Sequence, residues 1–249
     1  MQDTGQILRD NAVLLVFLGA AETALDIASP PWSFGSVPFW ALMALLIAAR
    51  VFLYILCLGF YRAAYEVRRE AVPGLVRLGA RFFWRQVGVG VLLALAVAAV
   101  VGLAVLLVHL VAPAGRARVM LNALAVAISV GLLLKPLVLS PAIVLVVDCD
   151  VMMAFRLLRF VPLMKAGRVW ALLVTQFVWI VLGGFVMHDA PGGYPGSVAG
   201  AIFRAVSWLL ATLVTLEAMR HVEACGITHD RVEKWVLRRV LGPSGAPRT

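Results

Sequence analysis

Three ionisable side chains, Glu22, Arg50 and Lys135, stand where the chain is otherwise hydrocarbon. Each lies in a run of Val, Leu, Ile and Ala long enough to approach or complete a membrane crossing. A charge at such depth costs about 2.5–3.5 kcal/mol on insertion scales, so it needs a partner or a task. Counted at about 1.5 Å per residue, Glu22, Arg50 and Lys135 lie roughly 16, 17 and 18 Å from the same membrane face. This spacing predicts a Glu22–Arg50 ion pair buried between the first two spans, with Lys135 close enough in depth to join it. Two chemistries fit. The pair fixes helix register while Lys135 snorkels, or the three charges form a midplane site for an ion or lipid headgroup beside Pro136 and Pro141.

Other reactive groups offer less. Asp148 and Asp150 could ligate a divalent cation, but no further acidic side chain lies nearby in the sequence. They are expected to be solvated helix-end charges partnered by Arg156 or Arg159. His221, Cys225 and His229 follow an i, i+4, i+8 spacing that would align three soft ligands on one helix face. Gly226 and Ile227-Thr228 read as a helix exit that breaks the alignment before His229, so no metal is expected. His109 and His188 stand alone and are expected to bond locally. Neither Gly-x-Ser-x-Gly, His-Glu-x-x-His nor Gly-x-x-x-x-Gly-Lys occurs. No catalytic residue or cofactor is assigned, and a non-enzyme is expected.

The elements that must hold these groups follow from composition. Of 249 residues, 63% are hydrophobic and 14% charged, against about 45–50% and about 25% in soluble domains. Such a chain cannot cover itself with polar groups, so its solvent must be largely lipid. Apolar runs suggest six spans, about 11–28, 37–61, 87–111, 119–147, 169–187 and 198–219, within a transmembrane domain over 1–220. Residues 221–249 form a polar tail. The first span is the weakest: it is short, carries Glu22 and Asp26, and ends at Ser29-Pro30-Pro31. Ala94, Ala98 and Gly102 make a small-residue stripe suited to close helix packing.

Charge sets orientation. The formal net charge is +9, which in a soluble protein would suggest nucleic acid. Here Lys and Arg crowd the segments at 62–86, 148–168 and 220–249 and thin out at 29–36, 112–118 and 188–197. Both termini are therefore expected in the cytoplasm and the protein in the inner cell membrane, with no nucleic-acid partner. The three cysteines, Cys57, Cys149 and Cys225, are expected to be reduced and unpaired. No cleavable leader is apparent at Met1-Gln2-Asp3-Thr4.

Two basic stretches lead into spans. Leu75, Leu78 and Phe82 share a helix face, with Arg77, Arg81 and Arg85 in a stripe beside them. Arg156 and Arg159 precede Gly167-Arg168-Val169-Trp170. Both suit basic amphipathic helices in the headgroup plane, placing Arg77, Arg81, Arg85, Arg156 and Arg159 against lipid phosphates. A third such helix is expected over Asp230 to Leu241, where Asp230 and Glu233 have capping-box spacing.

Some of these segments carry a likeness. Leu78-Gly79-Ala80-Arg81-Phe82-Phe83-Trp84-Arg85 enters span three, and Ser140-Pro141-Ala142-Ile143-Val144-Leu145-Val146-Val147-Asp148 closes span four. Ala154-Phe155-Arg156-Leu157-Leu158-Arg159 and Gly167-Arg168-Val169-Trp170 follow. The order resembles a bacterial family of uncharacterised six-span membrane proteins, related to the membrane domain attached to some glycerophosphodiester phosphodiesterases. The likeness covers residues 60–185, and Leu158 stands where that pattern has serine. It implies an all-α polytopic bundle but transfers no activity. Two functions are therefore expected to compete: a non-enzymatic accessory or structural component with a membrane-protein partner, and a transporter or lipid-handling protein using Glu22, Arg50 and Lys135.

Overall fold

A computed structural model describes residues 4–27, 37–68, 70–111, 115–188 and 198–234. The protein is an all-α helical bundle, and no strand occurs among these residues. The helices are α1 (Thr4–Asp10), α2 (Ala12–Ile27), α3 (Val37–Glu66), α4 (Val72–Val111), α5 (Arg116–Val147), α6 (Val151–Leu157), α7 (Gly167–His188) and α8 (Val198–Ala224). Two 3-10 turns, Leu158–Phe160 and Leu163–Lys165, separate α6 from α7. Residues 229–234 form a further helical turn.

Among the described residues four helices are long and apolar enough to cross a membrane: Trp40–Glu66, Val72–Val111, Ala117–Val147 and Gly200–Ala224. Ala12–Leu25 and Gly167–Gly183 are shorter apolar helices. The protein is thus membrane-embedded. The expected connections at 29–36 and 189–197 lie outside the described residues, as do Trp235 to Leu241 of the expected tail helix.

The chain divides into two compact units, Met1–Phe83 with Met164–Arg220, and Trp84–Leu163 with His221–Thr249. The first is built around Ile7, Leu18, Leu56, Phe60, Leu75 and Leu216. Here α3 and the start of α4 approach at backbone distance. A Cβ on Gly59 would lie 2.0 Å from the Leu75 carbonyl oxygen, and one on Gly79 would lie 1.8 Å from that of Ile55. Only glycine fits such a crossing, the small-residue device by which helices associate without a hydrophobic driving force.

This crossing corrects the expected surface helix at 75–85. The segment is the first part of the continuous forty-residue α4, not a separate helix. Its apolar face does not lie on lipid: Leu75 and Phe82 are buried in the protein, at 2% and 1% exposure. Protein packing captures the face because the glycines admit α3 to it.

The second unit is centred on the end of α5, where Leu139 and Ala142 to Val147 are all buried. Helix α6 and the first 3-10 turn pack on α5. Pro136 and Pro141 both lie inside α5; each lacks an N–H, so the carbonyls of Leu132 and Leu137 lose their usual helical donor. The small-residue stripe is not packed against the described residues. Ala94, Ala98 and Gly102 are exposed, and nothing lies within 4 Å of a Cβ placed on Gly102.

Candidate functional site

In the first unit the polar chemistry gathers where α8 meets the N-terminal helix. Thr4 Oγ1 donates to Glu217 Oε1 at 2.5 Å. Arg220 Nη1 donates to the same carboxylate oxygen at 3.0 Å and to Thr4 Oγ1 at 2.7 Å. Glu217 and Arg220 are i, i+3 neighbours, so α8 presents both on one face. Thr4 and Glu217 are 7% and 9% exposed, so the carboxylate is satisfied almost entirely inside the protein.

A second ionic group of this unit closes α3. Arg62 reaches Glu66 at 2.6 Å, and Arg68 Nε reaches the other carboxylate oxygen at 3.2 Å. Arg62 also stacks over the Tyr65 and Phe82 rings. Between the bridges Val67 takes a left-handed conformation, φ 59°, and the chain turns so that Arg68 N–H donates to Ala63 C=O at 2.9 Å. A β-branched residue is strained there.

The second unit has its own node. Arg85 of α4 donates to the Asp148 carboxylate and, at 3.2 Å, to the Asp148 carbonyl. Asp148 ends α5 in the left-handed region, φ 58°, which aspartate tolerates. The neighbouring Gln86 side chain donates to Pro141 C=O at 2.9 Å. Asp150 Oδ1 accepts from Met153 N–H at 2.7 Å, capping α6. The expected partners Arg156 and Arg159 are exposed instead, with Arg159 over the Phe160 ring at 4.6 Å. Sequence proximity misdirects here, because α4 brings in an arginine 63 positions away. Arg85 is therefore tied to protein, whereas Arg77 and Arg81 are exposed.

Cys149 lies between the two aspartates. Burial, then the Asp150 charge, pushes its thiol up to about 12. No group of three His, Cys, Asp or Glu able to hold a metal occurs among the described residues. His221 Nε2 lies 3.0 Å from Pro162 C=O and 3.8 Å from Cys225 Sγ, while His229 Nδ1 is 2.7 Å from Val147 C=O. Gly226, at φ 76°, ends the helix between them. The following turn begins at His229, with Val232 N–H donating to Thr228 C=O at 3.1 Å. Asp230 is therefore inside the first turn rather than at the cap, favourable to the helix dipole.

The three midplane charges are distributed as follows. Glu22 is half-buried on α2, close enough to Cys57 and Tyr61 of α3 to act on them electrostatically. Arg50 lies on α3, which packs against α2, but the arginine is exposed. The expected burial of both side chains between these helices is thus corrected: the glutamate is half-buried and the arginine exposed. Lys135 is half-buried in the second unit.

Two cavities beside the spans are apolar. In the first unit about 340 Å³ is walled by Leu15, Val16, Gly19, Ala205, Trp208 and Leu209 among others. In the second, about 460 Å³ lies among Leu92, Leu93, Leu133, Pro136, Met152 and Phe155. No family model, curated protein or solved structure matches the chain.

Proposed function

We propose that the chain is a non-enzymatic accessory or structural component of a bacterial inner membrane, crossing it about six times with both termini cytoplasmic. The observation that carries this reading is the state of the buried charge. Glu217 and Asp148, the carboxylates of the two nodes, are each satisfied by an arginine of their own unit. Two cavities alongside the spans, one in each unit, are walled by hydrocarbon. A transport site needs polar groups lining a cavity at depth, and these are lined otherwise.

The span count is supported by length. Helix α7 has 22 residues, about 33 Å at 1.5 Å per residue, enough for a crossing of about 30 Å. Helix α2 has 16 residues, about 24 Å, and completes six spans only with local thinning or snorkelling. The basic inner segments and the likeness to six-span bacterial membrane proteins agree with this count and orientation. Exposed Arg77, Arg81, Arg156 and Arg159 are proposed to meet lipid phosphates, and the partner is proposed to be a membrane protein.

Native mass spectrometry of the protein released from nanodiscs of its own membrane tests the reading. A stoichiometric protein partner retained by wild type and by Arg50→Gln and Lys135→Gln is expected. A stoichiometric small molecule lost from either variant would overturn it in favour of transport or lipid handling at the midplane charges.

A further inference from the structure

The first unit holds one cavity of mixed character, about 600 Å³ in volume, at the break between α1 and α2. Its polar rim is Arg9, Asp10 and Asn11 from that break and Glu70 from the approach to α4. Its apolar side is Val13, Leu14 and Phe17 from the first turns of α2, with Val72 and Leu75 from α4. Two elements thus change from polar to apolar around the same cavity. In a membrane-embedded chain that places the rim in the headgroup layer and the apolar side in the hydrocarbon. Val13 and Phe17 remain 85% and 59% exposed, an open wall for an acyl chain.

The rim carries both signs of charge: one guanidinium and two carboxylates. At the junction of α1 and α2, next to Arg9 and Asp10, Asn11 Nδ2 donates to Ile7 C=O at 2.9 Å. Glu70 lies over the first turn of α4, where a Cβ on Gly74 would come within 2.4 Å of its Oε2. A glycine at position 74 therefore makes room for this carboxylate. An arginine suits a phosphate, while carboxylates accept hydrogen bonds from a primary ammonium and find no donor on a quaternary one.

We propose that this cavity binds a zwitterionic phospholipid bearing a primary ammonium, an ethanolamine-type lipid of the surrounding bilayer. Arg9 takes the phosphate, Asp10 and Glu70 take the ammonium, and one acyl chain lies along Val13, Phe17 and Val72. The site is separate from Glu22, Arg50 and Lys135, so its occupancy leaves the accessory reading untouched.

The test uses the full chain in nanodiscs containing equal amounts of dioleoyl phosphatidylethanolamine, phosphatidylcholine and phosphatidylglycerol. Retained lipid is identified by native mass spectrometry. One ethanolamine lipid should be retained over the choline lipid by about fivefold or more, the scale of a charge-assisted hydrogen bond discounted for exposure. Asp10→Asn with Glu70→Gln should abolish that preference, and Gly74→Ala should reduce it by displacing Glu70. Lys234→Gln, outside the cavity, should keep it. Equal retention of the three lipids by wild type overturns the proposal, as does a preference for the glycerol lipid. A preference that survives both Asp10→Asn with Glu70→Gln and Gly74→Ala also overturns it.

Discussion

The two units solve one problem, a carboxylate toward the C-terminal end of a long helix, in different ways. In the first, Glu217 and its arginine lie one turn apart on α8, and the third member is a hydroxyl from the N-terminal helix. In the second, Asp148 sits on the left-handed residue that ends α5, and its arginine comes from α4. The arginine is the more enclosed in the first node, its side chain 22% exposed there and 36% in the second, whereas the carboxylate side chain is 11% exposed in the first and 7% in the second. Enclosure rather than partner type should then set how strongly each node holds its helices, since exposed ion pairs contribute little and breaking buried ones costs much.

Substituting Glu217→Gln should break this comparison most visibly. The change leaves Arg220 and Thr4 with a neutral acceptor in a nearly dry site. A loss of about 3 kcal/mol is expected, read as a lowered midpoint of thermal unfolding in detergent micelles. Asp148→Asn keeps a residue that tolerates the left-handed turn and removes only the charge. Because Arg85 retains water, the loss should be about 1 kcal/mol. Equal losses from the two variants would mean that enclosure does not decide the matter.

The helix exits allow a sharper comparison. Both Val67 and Asp148 take left-handed conformations, φ 59° and 58°, yet only the aspartate suits one. Val67 is half exposed, so little packing is lost when it is replaced. Val67→Asn should stabilise by about 0.5–1 kcal/mol, raising the same unfolding midpoint. Asp148→Val should cost about 1 kcal/mol more than Asp148→Asn, since it adds the strain that Val67 already carries.

What the sequence makes legible divides along physical lines. Hydrocarbon runs announce the membrane and the long helices because span length depends on composition alone. The exit at Gly226 is legible because a left-handed glycine after a helix is a local device. The nodes are not, since Thr4 and Glu217 are 213 positions apart and Arg85 and Asp148 are 63 apart. Glu217 and Arg220 do leave a trace, an acid and a base at i, i+3 late in an apolar helix. Nor does amphipathicity at 75–85 distinguish lipid from protein as the partner of the apolar face. That is decided by Gly59 and Gly79, whose meeting requires the tertiary crossing.

The smallest expected effect concerns Cys149, and it probes how dry the second node is. Burial favours the neutral thiol, and the Asp150 charge adds to this by opposing a second negative charge nearby. With the thiol up at about 12, only a trace of thiolate exists at pH 8, and the thiolate is the nucleophile. With Cys57→Ser and Cys225→Ser in place, iodoacetamide should label Cys149 slowly, and the rate should rise about tenfold per pH unit from 7 to 9 without a plateau. Asp150→Asn should speed labelling only modestly, because burial is the larger cause and stays in place. A plateau near pH 8.5 would mean that Cys149 is wet. The node beside it would then be more open than its 7% exposed Asp148 side chain implies, and the predicted gap between Asp148→Asn and Glu217→Gln should widen.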